Sequence, residues 1–134
     1  MINQQRILMF NVSKEKRDKI IQMCKTLGIL TKTVDRPQYN QKIGALAEIS
    51  GFKEDKEIYT KEEFPLEMLV FSGMNQQQVD SFLKEYRNRG IEQIGCKAII
   101  TPDNVFWTAE KLFRELLKEH TFINNTPDGN HNIH

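Results

Sequence analysis

Long apolar runs are missing from this sequence. The most apolar stretches are Ile7-Leu8-Met9-Phe10, Met68-Leu69-Val70-Phe71 and Ala98-Ile99-Ile100. All fall far short of the ~20 residues that span a bilayer, and the first is too short for the apolar core of a signal peptide. These absences predict a cytoplasmic protein with no membrane partner. Charge of one sign is also missing. The chain has 19 Lys and Arg against 18 Asp and Glu, for a net charge of +1. Nucleic-acid binders neutralise phosphates with a basic excess, so the balance argues against a nucleic-acid partner. Cysteine is scarce: Cys24 and Cys96 are the only two. Their spacing matches no zinc or redox motif, and both are expected to be buried thiols.

Catalytic signatures are absent as well. The three histidines, His120, His131 and His134, are too few and too scattered to define a triad. His131 and His134 lie in the tail with no carboxylate or cysteine cluster around them, so no built metal site is expected. Gly44, Gly51 and Gly73 form neither a phosphate loop nor a dinucleotide fingerprint. No catalytic residue and no cofactor can be assigned from the residues alone.

What the chain does contain is a repeat. Ile7–Phe10 reads as a buried strand. Ser13 follows as a helix N-cap, and Ile20, Cys24 and Leu27 share one helical face, flanked by Ile21 and Met23. Gly28 ends that helix, and residues 29–34 read as a polar, edge-like strand. The order then recurs. Met68–Phe71 is a second apolar strand, paired with Ile7–Phe10 if one residue is inserted after it. Asn75 is the cap, and Val79, Phe82, Leu83 and Tyr86 are the helix face. Gly90 is the terminator, and Ala98–Ile100 is the last strand. A short helix over about 40–50 and a longer one over about 108–121 follow the two units. The long helix carries Ala109, Leu112, Phe113, Leu116 and Leu117 as a packing stripe, with Thr108 as its cap.

The expected organisation is one α/β (α+β) domain over residues 1–123. Its parts are a first βαβ unit at about 6–35, a charged exposed connector at 52–66 and a second βαβ unit at about 67–101; a flexible tail covers 124–134. Two arrangements suit duplicated βαβ units. The preferred one is a ferredoxin-like four-stranded sheet, in which each unit is split by a strand of the other. The alternative is a three-layer, all-parallel sheet. Both make the strands at 7–10 and 68–71 central and the strand at 29–34 an edge.

The densest polar and aromatic segment is Lys97 to Thr108, where a strand end meets a helix start. Ligand sites of α/β sheets favour such places. Lys97, Thr101, Asn104 and Trp107 are its candidate ligand-binding residues. Asn40 and Lys42, at the start of the short helix, are a second pair. The two halves look unequal, because only the second ends in the Thr101-Pro102-Asp103-Asn104 turn, the lone tryptophan and a long helix.

Lys97–Asn104, Trp107-Thr108 and Glu115–His120, with Asn40–Gly44 and Met68–Gly73, resemble a family of small bacterial proteins known as domain of unknown function 3783. The likeness runs over about 7–121 and leaves out the connector and the tail. The resemblance implies a stand-alone cytoplasmic bacterial protein and brings no activity, cofactor or catalytic residue.

Three functions compete. The favoured one is a non-catalytic binding or regulatory module acting through protein contacts, a homodimer among them, or through a small polar ligand. A small enzyme at the 97–108 turn would have to use Lys97, Asp103 and His120 as its acid–base groups. A nucleic-acid module ranks last.

Overall fold

A computed structural model describes residues 4–124. The expectations for the tail, with His131 and His134, fall outside those residues, as does the side chain of His120. The element order is β1 (Arg6–Phe10), α1 (Lys14–Leu27), β2 (Leu30–Val34), a 3-10 turn (Arg36–Gln38), α2 (Ile43–Leu46), β3 (Met68–Ser72), α3 (Gln76–Asn88), β4 (Cys96–Ile99), a second 3-10 turn (Asn104–Phe106) and α4 (Ala109–Asn124). No helix among the described residues is long and apolar enough to cross a membrane.

The mixed α/β class, the two βαβ units and the four-stranded sheet are as the sequence implies. The strand order is different from the ferredoxin-like one. It runs β2-β1-β3-β4. Each unit keeps its two strands side by side and parallel, and the units meet through an antiparallel β1–β3 pair. No strand intervenes between β1 and β2 or between β3 and β4. The all-parallel alternative fails at the same β1–β3 pair, although its three layers are present. β1 and β3 are central and β2 is an edge, as their polarity requires.

The period-2 alternation of the central strands divides the core between the two faces. Ile7, Met9, Leu69 and Phe71 face α1 and α3, meeting Ile20, Met23, Cys24, Val79, Phe82 and Tyr86. Leu8, Phe10, Met68 and Val70 face the other layer, which holds Tyr39, Ile43, Leu46, Leu112 and Phe113. Leu27, placed on the buried face by its spacing, is 42% exposed. It is the last residue of α1.

Positive φ angles fix the repeat's true register. Asn11 (φ 57°) and Gly73 (φ 72°) both turn the chain from strand to helix in the left-handed region. Arg6 and Met68, Asn11 and Gly73, Ser13 and Asn75, and Gly28 and Gly90 therefore stand in equivalent places with nothing inserted between them. The pairing of Phe10 with Phe71 is corrected to Phe10 with Ser72. Asparagine tolerates this conformation, but at Gly73 a Cβ would lie 2.5 Å from the Gln4 carbonyl oxygen, so only glycine fits there.

The caps are met differently in the two units. Asn75 accepts from the Gln78 N–H at 2.8 Å, in a capping box. Ser13 makes no side-chain cap; instead its own N–H donates to Glu67 Oε2 at 2.9 Å. Glu67 also binds Lys16 at 2.6 Å, which ties the start of α1 to the strand entry of the second unit.

The connector is not simply exposed. Its charged residues 53–57 are, but Tyr59 and Phe64 are buried. Phe64 stacks between Tyr39 (ring centroids 4.0 Å apart) and Phe113 (4.2 Å). Gln41 is buried and holds the connector from below. Its Oε1 accepts from the Asp55 N–H at 2.6 Å, and its Nε2 donates to the Asp55 carbonyl. The surrounding charge conceals these anchors in the sequence.

Candidate functional site

The turn after β4 is built by two side chains. Asn104 is buried; its Oδ1 accepts from the Thr101 N–H at 2.8 Å and its Nδ2 donates to the Ile99 carbonyl at 3.0 Å. The Thr101 hydroxyl accepts from the Asn104 N–H at 3.0 Å and more weakly from the Asp103 N–H. Side chains that bond backbone in this way set a turn's shape. Both residues are thus engaged by the turn itself.

The same device appears after β2. There the Gln38 Oε1 accepts from the Asp35 N–H at 3.1 Å. The exit turn of the second unit thus has a counterpart in the first, which its unlike residues disguise.

Trp107 and Lys42 are brought together. The two segments that lead into α2 and α4 form a short antiparallel ladder, with Lys42 opposite Thr108. The Ile43 N–H donates to the Trp107 carbonyl at 2.8 Å, and the Ala109 N–H donates to the Gln41 carbonyl at 3.0 Å. Thr108 caps α4 as expected, accepting from the Lys111 N–H at 3.1 Å. Trp107 is half-buried against the core, and the Lys111 ammonium lies 4.8 Å from its ring centroid. Asn40 is half-buried on the same strand of the ladder, and Lys42 is exposed.

Lys97 does not join them. It pairs with Leu69 on the α1/α3 face of the sheet, whereas Trp107 packs on the other face. Its ammonium donates to the Ile94 carbonyl at 3.1 Å, and burial lowers its pKa. The four residues Lys97, Asn40, Asn104 and Trp107 therefore share no pocket. One groove of about 450 Å³ lies between α1 and α3, lined by Asp18, Lys19, Gln22, Arg89 and Ile91.

Phe106 is the residue that motif reasoning passed over. It sits on the rigid 3-10 turn, yet 63% of it is exposed. Its ring is 5.3 Å from that of Phe52, which in turn lies flat on Gly44, where a Cβ would come within 2.7 Å of the ring. Phe52 and Phe106 thus form a two-ring aromatic ledge against Gly44 of α2. Composition gives no hint of it, since aromatic residues normally mark core.

Cys24 and Cys96 are both buried and unbridged, as expected. Burial pushes the Cys24 thiol up to about 12 and raises that of Cys96. The Tyr39 hydroxyl is buried with no hydrogen-bond partner among the described residues, and burial raises its pKa, with the Glu63 carboxylate acting in the same direction. Among the described residues no three His, Cys, Asp or Glu side chains are grouped as metal ligands would be.

No curated protein and no solved structure matches the chain. One family model does, and its match stops short of the Asn40–Gly44 segment on which the sequence resemblance also rests. Residues 67–123 match the family described as "Domain of unknown function (DUF3783)", a segment that runs from the residue before β3 into the last turn of α4, so the likeness covers the second βαβ–turn–α unit.

Proposed function

We propose that the protein is a non-catalytic binding module that works in the cytoplasm and grips a protein partner through the Phe52–Phe106 ledge. The observation that carries this reading is the exposure of Phe106 on a turn whose backbone is fixed by Thr101 and Asn104. Exposed aromatics on rigid supports act as interface anchors, because little side-chain entropy remains to be lost on binding. In this reading Trp107, Asn40 and Lys42 flank the contact, Thr101 and Asn104 hold its shape, and Lys97 has no part. Two buried free thiols suit a reducing compartment.

The test compares Phe106→Ala with Ile58→Ala, another exposed apolar residue (64%) that lies on the connector. A partner recovered with the wild-type protein should bind Phe106→Ala on the order of 30-fold more weakly, as expected of an aromatic hot spot. Ile58→Ala should bind it normally. Equal binding by all three proteins would remove the ledge from the account.

A further inference from the structure

We infer that the second unit carries a self-recognising surface, formed by β3 and the segment 107–109, whose fitting partner is another copy of the same βαβ–turn–α unit. In the intact chain the first unit fills that place. The argument rests on two ladders, each of which is symmetric under exchange of the two units. Across β1–β3, Leu8 faces Val70, and these two residues are equivalent in the repeat. The flanking pairs exchange under the same operation: Ile7 faces Phe71 and Met9 faces Leu69. In the second ladder Lys42 faces Thr108, and both directly precede a helix of their own unit. Its two hydrogen bonds, Ile43 to Trp107 and Ala109 to Gln41, exchange in the same way.

An interface that maps onto itself under a twofold is what a symmetric homodimer needs. Two second units paired through the same two ladders would set Val70 against Val70, Leu69 against Phe71 and Thr108 against Thr108 of the other copy. A lone second unit has strong reason to pair. All five β3 residues are buried in the folded chain, and an open apolar strand edge invites pairing. The segment that matches the family is one such unit.

The test uses the full chain with a protease site inserted between Lys56 and Glu57, in the exposed part of the connector, together with Thr108→Cys. The Lys42–Thr108 pair is flanked by its hydrogen bonds rather than sharing them, the close pairing that brings Cα atoms within disulfide reach. The protein is cut, unfolded, refolded with both fragments present at high concentration, and oxidised with oxidised glutathione. The expected product includes a species at twice the mass of the second fragment, with peptide mapping placing its disulfide at residue 108. A control with both Lys42→Cys and Thr108→Cys should link the first fragment to the second. If the control links and Thr108→Cys alone leaves only unlinked second fragment, the inference is overturned. If the control also fails to link, the second ladder is wrong and the inference falls with it.

Discussion

Replacing Asn104 by alanine should cost the fold about 2–3 kcal/mol, from two hydrogen bonds of roughly 1 kcal/mol each and a further cost for groups left unpaired. The residue is only 8% exposed, and its side chain bonds the Thr101 N–H and the Ile99 carbonyl. Thr101 is exposed, so its N–H can recover water. The Ile99 carbonyl sits by a half-buried strand end and recovers less. In a thermal melt the loss corresponds to a fall in Tm of roughly 8–12 °C for a chain of this size. Thr101→Val is the internal comparison. It removes a hydroxyl that accepts two backbone N–H groups, but in an exposed residue, so its cost should stay near or below about 1 kcal/mol. Urea melts of both variants decide the matter. If Asn104→Ala melts like the wild type, or costs less than Thr101→Val, Asn104 does not hold this turn and its side chain is free to serve a ligand.

Phe64→Ala should cost about 3–5 kcal/mol, because the ring stacks between Tyr39 and Phe113; a connector that was merely solvated would lose almost nothing in the same melt. Gln41→Ala should raise hydrogen exchange at the Asp55 amide and proteolysis across 53–57, with little change at β3. The Cys24 pKa is raised on folding, so its contribution to stability is intact below the ordinary thiol pKa and is lost as pH rises toward about 12. Alkylation at mildly alkaline pH should therefore reach Cys24 only in unfolded molecules, and Cys24→Ala should flatten the alkaline limb of the stability curve.

The sequence carried the elements and their burial better than their order. Apolar runs made β1 and β3 central, and glycines marked the helix ends, because those signals are local. Strand order is not local. The β1–β3 pairing depends on how the two units dock, which no residue pattern within one unit records. The one-residue slip in the repeat came from matching Phe10 to Phe71 by type, whereas the backbone aligns Asn11 with Gly73 by conformation. The candidate site was half legible. Trp107 and Lys42 do meet, but through a backbone ladder that side-chain identity does not reveal. Period alone puts Lys97 on the opposite face from Ala98, but that Trp107 shares the Ala98 face is set by packing. Tyr59 and Phe64 were hidden by the charges around them.

The arrangement of two side-by-side βαβ units is tested most directly by inter-strand NOEs in a labelled sample. The account predicts NOEs joining β1 to β2 around Leu8 and Lys32, β3 to β4 around Val70 and Ala98, and a close Hα–Hα pair between Lys42 and Thr108. NOEs that place β2 beside β3 and β4 beside β1, the interleaved order, would contradict it.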